Sequence, residues 1–268
     1  MAGRFSGQVA FITGASSGIG AAIARVFARE GARVVLAARR ADRLEALQQE
    51  ITALGSEALA VACDVTDRGS LDAAVKRAAE AFGRIDVVLA NAGFGVSGVF
   101  TDLETVDFRR QFETNVFGVL DTVYATLPYL LESKGRLGIV GSVSGRVGTP
   151  ASAPYTASKF AVVGLAECLY YDLADRGVSV TCINPGFVAS EIRRVNNRGE
   201  LTGKPDPVPQ FLVMPAAKAA RQIVRALYRR RPEVIITRHG KIMIFLARHF
   251  PRLTRLVLRL GSKGRVDQ

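Results

Sequence analysis

Tyr155 and Lys159 lie four residues apart in what reads as the start of a helix, so a phenol and an ammonium share one face. Ser142 precedes them by thirteen residues, in Val140-Gly141-Ser142-Val143-Ser144-Gly145, at the end of a β-branched run. Strand ends at the C-terminal edge of a doubly wound sheet are where ligands bind. A hydroxyl, a phenol and an ammonium gathered at such an edge form an acid–base set suited to proton transfer at a substrate oxygen. The spacing alone is weak, because the six Tyr and seven Lys of this chain give about 0.16 Y-x-x-x-K pairs by chance. Each residue also has a plain structural reading. Ser142 could cap local backbone, Tyr155 could be a half-buried helix residue, and Lys159 could be a snorkelling surface cation. The order and context of the set favour the catalytic reading.

Such a set needs a sheet to hold it. From Gln8 to Ile183 short β-branched runs alternate with longer amphipathic ones, the pattern of a parallel sheet covered by helices on both faces. Strands are predicted near Val9 to Thr13, Arg33 to Ala38, Ala58 to Cys63, Ile85 to Ala90, Leu137 to Ser142, Val178 to Ile183 and Glu233 to Thr237. The first helix, from about Gly18, places Ile19, Ile23, Val26 and Phe27 on one face and stops at Gly31. Gly55, Gly83 and Gly177 punctuate later helices in the same way. No repeat or linker divides the first 190 residues. The expected architecture is one α/β domain over residues 1–240, followed by a basic C-terminal extension over 241–268. Residues 188–215 break periodicity over a stretch long enough to be a substrate lid or binding loop, or to be disordered.

Between the first strand and the first helix lies Thr13-Gly14-Ala15-Ser16-Ser17-Gly18-Ile19-Gly20. Glycines there let the backbone approach a pyrophosphate, whose charge is favoured by the free N–H groups and dipole of the helix N-terminus. The alternative is a Gly-rich turn serving strand–helix packing alone. At the end of the second strand, NAD-preferring proteins usually carry an acidic residue for the ribose 2′-hydroxyl. Here that place is Ala38, followed by Arg39 and Arg40, whose guanidiniums can pair with a 2′-phosphate. This favours NADP(H) over NAD(H). The bland alternative pairs Arg39, Arg40 and Arg43 with Asp42, Glu45 and Glu50 on the following helix.

In this order the chain supplies Thr13 to Gly20, Asn91-Ala92-Gly93, Asn115, Ser142, Tyr155 with Lys159, and Pro185-Gly186. Over roughly Gln8 to Ser190 it resembles the short-chain dehydrogenase/reductase family, defined by TGxxxGxG, NAG, a catalytic Ser, YxxxK and a later PG segment. The resemblance implies a Rossmann-type doubly wound fold and an NADP-dependent oxidoreductase acting on a carbonyl or secondary alcohol. It implies that Gly14, Ser16, Ser17, Gly18, Ile19 and Gly20 cradle the cofactor. Asp64 and Val65 would border the adenine, Asn91, Ala92 and Gly93 would support the cleft, and Pro185, Gly186, Val188 and Ser190 would lie toward the nicotinamide end. Lys159 would bind the nicotinamide ribose, and Asn115 would hold a water relaying protons. A homo-oligomer, dimer or tetramer, is expected on the same ground. Ala90 departs from the family where many members have a first Asn, and Ser190 stands where Thr is frequent.

Hydride transfer to a carbonyl builds negative charge on oxygen, so Ser142 would donate to that oxygen and Tyr155 would protonate it. Lowering a phenol pKa from about 10 to about 7 needs roughly 4 kcal/mol. Lys159 at roughly 5 Å and an effective dielectric of 20 supplies about 3 kcal/mol, and the positive ring of the oxidised cofactor the rest.

Composition narrows the remaining choices. With 49% hydrophobic and 22% charged residues the chain is ordinary globular material, neither disordered nor collagenous. No apolar run, Ile242 to Ala247 included, approaches a bilayer span, and the N-terminus carries no leader pattern. The three thiols, Cys63, Cys168 and Cys182, lack metal-ligand spacing, so a reducing, cytoplasmic setting and no metal are expected. Residues 1–213 hold equal numbers of acidic and basic side chains, so the net charge of +12 lies in the last fifth. There Pro251 can open a helix with Leu253, Leu256, Val257 and Leu260 on one stripe and Arg252, Arg255 and Arg259 facing away. Such a helix can lie peripherally on an anionic membrane, or pack on the domain or a subunit. Nucleic acid is a poorer partner, because few aromatics accompany the basic residues. A hydrophobic or lipid-like carbonyl substrate fits this tail and apolar Val96, Val147 and Phe187 near the cleft. The alternatives are a small polar carbonyl or sugar, or a catalytically idle dinucleotide-binding interaction protein. The intact proton-transfer set argues against the last.

Overall fold

Runs of β-branched and small apolar residues build the sheet. Its strands are β1 (Val9–Thr13), β2 (Arg33–Ala38), β3 (Ala58–Ala62), β4 (Val87–Ala90), β5 (Arg136–Val140), β6 (Ser179–Asn184) and β7 (Glu233–Ile235). All pair in parallel, in the order β3-β2-β1-β4-β5-β6-β7, with Ile12 of β1 level with Leu36 of β2 and Leu89 of β4. The structure, a computed structural model, describes residues 3–262. A parallel sheet covered on both faces excludes water from both, which is why β1 and β4 are buried along their whole length instead of alternating.

The helices are α1 (Gly18–Arg29), α2 (Ala41–Ala53), α3 (Arg68–Phe82), α4 (Thr105–Phe112), α5 (Gly118–Ser133), α6 (Ala153–Asp172), α7 (Ala216–Tyr228), α8 (Arg238–His249) and α9 (Pro251–Ser262). Strand side chains alternate between two cores. Ile12, Leu36 and Leu89 meet Ile23 and Phe27 of α1, Leu44 of α2 and Ile223 of α7. Phe11, Val35 and Val88, one residue earlier in each strand, meet Leu71 of α3, Leu130 of α5 and Val162 of α6. The strand order reverses between β1 and β4, and this opens a crevice at their C-terminal ends. The Gly14 loop and the Asn91-Ala92-Gly93 segment both leave the sheet there.

All seven expected strands are present, and their ends shift where side chains cap the neighbouring turn. β5 stops at Val140 instead of Ser142, because Ser142 Oγ accepts from Ser144 N at 3.0 Å and opens a 3-10 turn, Val143–Gly145. β7 stops at Ile235 instead of Thr237, because Thr237 Oγ1 accepts from Gly240 N at 3.2 Å and caps α8. β4 starts at Val87, since the buried Asp86 carboxylate accepts from Val9 N at 2.8 Å.

The long segment 188–215 contains one 3-10 turn, Gln210–Leu212, and is held by specific contacts. At its root Met214 N donates to Phe187 O and Ala189 N to Met214 O, both at 2.9 Å. Within it Arg193 pairs with Asp206. At its far end Asn197 mimics a strand partner for Ser97, taking the Ser97 N–H at 3.1 Å and donating to its carbonyl at 3.0 Å.

Candidate active site

The glycine loop is shaped by close backbone approach. Gly14 has φ 66°, and a Cβ there would sit 2.8 Å from Ala92 Cα and 2.9 Å from Asn91 Nδ2. A Cβ on Gly20 would run into the Gly14 carbonyl oxygen. Asn91 locks the loop to β4, its Nδ2 donating to the carbonyls of Thr13 at 2.9 Å and Gly14 at 3.2 Å, while Thr13 Oγ1 accepts from Asn91 N at 3.0 Å. Side chains are thus kept off a loop that leads straight into the N-terminus of α1, the cradle that a pyrophosphate requires. Ser190 lies over the same loop, its Cβ 3.0 Å from where a Gly18 Cβ would be.

Arg40, at the end of β2, spans the cradle. Its Nη2 donates to Ser16 Oγ at 3.0 Å and Ser17 Oγ at 2.8 Å, and its Nη1 to Glu191 Oε2 at 2.8 Å. Arg43 Nη1 reaches Glu191 Oε1 at 2.7 Å. Burial would raise the Glu191 carboxyl, but hydrogen bonds from Arg43, Arg40 and Ser17 hold it down at about 2. The carboxylates of α2 are therefore not the partners of Arg40 and Arg43. Glu50 instead pairs with Arg25. Arg39 stands apart and exposed, 4.0 Å from Asp64, which accepts from Thr66 N at 3.0 Å. Val65 is buried under Gly118.

The acid–base set gathers as the spacing expects. Lys159 is 4% exposed and its Nζ donates to Val140 O at 2.8 Å, 5.8 Å from the centre of the Tyr155 ring. Burial lowers the Lys159 ammonium to about 8. Burial likewise raises the Tyr155 phenol above its ordinary value, opposed by a hydrogen bond with Ser142 and by the charge of Arg193. Lys159 is thus no surface cation. It does not by itself pull the phenol down, because its proton is directed to the Val140 carbonyl and it too is desolvated.

Asn115 sits in a π-helical turn, Glu113–Phe117, between α4 and α5, and is fully buried. Its Oδ1 accepts from Phe94 N at 3.1 Å, and its Nδ2 donates to Phe94 O at 3.1 Å and Ser158 Oγ at 3.2 Å. The extra residue of the π turn turns this amide toward the segment after Gly93. Gln111 works beside it, accepting from Val96 N at 2.6 Å and donating to Phe94 O at 2.8 Å.

Pro185 and Gly186 carry the chain from β6 toward α8. A Cβ on Gly186 would collide with Thr237 Oγ1 and lie 2.7 Å from His239 Nε2. His239 accepts from Phe187 N at 3.1 Å and stacks on the Phe187 ring, centroids 5.1 Å apart, while Arg193 lies over that ring at 5.7 Å. Burial lowers the His239 pKa, which favours the neutral acceptor. Of the three apolar residues expected near substrate, Val96, Val147 and Val188's neighbour Phe187, the two valines are buried and Phe187 is 39% exposed. Gly95 and Ile192 flank Tyr155, since a Cβ on Gly95 would be 3.7 Å from both Ile192 Cγ1 and Tyr155 Cδ2.

Glu191, Arg193, Gln111 and His239 were not found from the sequence as site residues. The signal for the first two lay in the long loop, whose fold no periodicity reports. Among the described residues no group of His, Cys, Asp or Glu could hold a metal ion.

A doubly wound sheet with a glycine cradle and a Ser-Tyr-Lys cluster at its reversal point defines a class of dinucleotide-dependent proteins. The model of the short chain dehydrogenase family matches residues 8–201. The chain belongs to that family of oxidoreductases. It is 41% identical to the oxidoreductase UcpA of Salmonella typhimurium over 201 residues, 73% of this chain and 76% of that protein. It is 35% identical to the glycine betaine reductase ATRR of Emericella nidulans over 232 residues, 86% of this chain but 18% of that much longer one. A short chain dehydrogenase/reductase from Burkholderia phymatum, solved with NAD, superposes with TM-score 0.84 at 29% identity, covering 93% of this chain and 96% of that one. An alcohol dehydrogenase from Thermococcus sibiricus, solved with 5-hydroxy-NADP, gives TM-score 0.75 at 30% identity, covering 86% and 96%.

Proposed function

We propose that this protein interconverts a carbonyl and a secondary alcohol with NADP(H), and that its substrate is hydrophobic. The observation that carries the reaction is the buried Lys159, anchored on Val140 O with its Nζ 5.8 Å from the centre of the Tyr155 ring, beside a cradle whose glycines leave no room for side chains. Bound there, the dinucleotide would give or take the hydride. Gly14, Gly18 and Gly20 would admit its pyrophosphate to the N-terminus of α1. Ser142 would hold the substrate oxygen and Tyr155 would give it a proton during reduction or remove one during oxidation. Lys159 would hold its ammonium under the phenol, and a positive ring nearby would add what Lys159 alone does not. Asn115 would keep the Phe94 backbone and Ser158 in place, a positioning role. The exposed Phe187 ring and Ile192 beside Tyr155 offer apolar contact, which favours an apolar substrate over a sugar.

Choice of cofactor rests on Arg40, since solved relatives carry either NAD or an NADP derivative. Its guanidinium lies on the hydroxyls of the cradle and Arg43 stands beside it, so two cations flank the cradle, both paired with the Glu191 carboxylate that a 2′-phosphate would have to displace. Glu191 supports a second reading, because a carboxylate in that position could accept a ribose 2′-hydroxyl and favour NAD(H). Titration with NADPH and NADH, together with turnover of apolar and polar ketones by wild type and Tyr155→Phe, tests both parts. Binding with no turnover of any ketone would count against the reaction, and tighter NADH binding would count against the cofactor.

A further inference from the structure

The C-terminal hairpin of α8 and α9 plays no part in the proposed chemistry, yet seven of the twenty exposed large hydrophobic side chains among the described residues lie in it. We propose that this hairpin docks the protein on an anionic lipid surface. Ile242 and Phe245 of α8 and Phe250 at the turn are each more than half exposed, as is the whole Leu253, Leu256, Val257 and Leu260 stripe of α9. Phe245 contacts Phe250, ring centroids 6.4 Å apart, which joins the α8 patch to the turn that starts α9.

Helix α9 has three faces. At 100° per residue, Thr254 and Leu258 fall on one, the leucine stripe on a second and Arg252, Arg255 and Arg259 on a third, each roughly 120° from the next. Thr254 is buried and Leu258 half-buried, which marks the face turned to α8. The two remaining faces, apolar and basic, are adjacent and open. This is the arrangement of a helix lying in the interface plane, with its leucines in the acyl boundary and its arginines at the level of the headgroups. Spanning is excluded for this part, because no helix among the described residues is long and apolar enough to cross a membrane.

Charge selects the occupant. Between residues 238 and 262 there are six Lys or Arg and no Asp or Glu. A second copy meeting this face would bring two such basic sets together, whereas an anionic bilayer neutralises one. Nucleic acid would satisfy the arginines but leave the leucines in water.

The hairpin is also tied to the candidate site. His239, in the first turn of α8, accepts from Phe187 N, and Gly240 packs so closely on Val143 that a Cβ would sit 2.6 Å from Val143 Cγ2. A docked hairpin would therefore hold the Phe187 side of the cleft near the lipid, where an apolar substrate is concentrated. That consequence rests on the oxidoreductase reading. The docking itself does not.

Flotation of the full chain with vesicles of phosphatidylcholine, with and without phosphatidylserine, at low and high salt tests it without any activity readout. The expected result is flotation with the phosphatidylserine vesicles at low salt and loss of most of it at high salt. Arg252→Gln and Arg255→Gln should each weaken binding about five-fold. Leu256→Asp with Leu260→Asp should abolish it while the melting temperature stays unchanged, since both side chains are exposed. Absence of flotation would overturn the proposal, and so would equal binding to neutral vesicles that ignores the arginine changes. A particle size that grows with concentration, is lost in Leu256→Asp and is accompanied by no flotation would show that a second copy covers this face.

Discussion

The Glu191 carboxylate bridges Arg40 and Arg43, with one oxygen 2.8 Å from the first guanidinium and the other 2.7 Å from the second. It comes from the long loop after β6, so one side chain closes the loop over the cradle formed by β1, β2 and α1. Under the NADP(H) reading this carboxylate stands where a 2′-phosphate would be received, and the two anions compete.

Glu191→Gln should therefore tighten NADPH binding about ten-fold, because it removes a like charge and leaves both guanidiniums unpaired for the phosphate. Arg40→Ala should weaken NADPH by about ten-fold to a hundred-fold and change NADH little. Fluorescence titration of both cofactors reads these directly. NADH binding that falls in Glu191→Gln while NADPH stays constant would establish the second reading instead.

The close-packed glycine loop, the nearness of Tyr155 to Lys159 and all seven strands were legible because each rests on local signals: a period of two, a period of 3.6, and small residues where backbone must pass close to backbone. The partners of Arg40 were not. A surface arginine within reach of Asp42, Glu45 and Glu50 on its own helix gives every sequence-based reason to pair there, and the winning carboxylate is some 150 residues away in the chain. Loops of this length carry no periodicity, so their closing contacts depend on tertiary placement that propensity does not encode. Asn115 illustrates a middle case. Its position was legible by resemblance, but the π turn that aims it and the Gln111 that assists it were not. The exposed leucine stripe of α9 was legible as a pattern, while its lack of cover by the domain body was visible only in the fold.

Tyr155→Phe keeps the ring and removes the proton. Turnover should fall by about a hundred- to ten-thousand-fold, the usual worth of a positioned acid, with cofactor affinity retained. In the oxidation direction wild-type turnover should rise with pH, since burial raises the phenol and alcohol oxidation needs the phenolate. In the reduction direction it should hold through neutral pH and fall only under alkaline conditions. A rate limited by the same alkaline pKa in Tyr155→Phe would remove Tyr155 from this role.

Lys159 links the site to stability. Its pKa is about 8 in the folded chain, below the ordinary 10.5, so between these values the unfolded state binds more protons than the folded one. Stability from this group therefore rises as pH increases from about 8 to about 10.5, by roughly 3 kcal/mol at most. Lys159→Met should flatten that rise. Urea unfolding of both proteins at the two ends of the window measures it, and an identical pH dependence would show that the buried ammonium is not the source.

Asn115→Ala separates a positioning residue from a catalytic one. The amide is fully buried and holds both polar groups of the Phe94 backbone and the Ser158 hydroxyl. Its removal leaves the Phe94 N–H without an acceptor, at about 1–3 kcal/mol, while Phe94 O keeps Gln111 Nε2 and Ser158 Oγ keeps the Tyr155 carbonyl, so the melting temperature should fall by a few degrees. The Phe94 segment leads through Gly95 to the flank of Tyr155, so its loosening should raise KM and lower kcat together without moving the pKa of the pH profile. A variant with unchanged melting temperature and a displaced pH profile would instead place Asn115 in the proton path itself, with the Phe94 contacts incidental to its role.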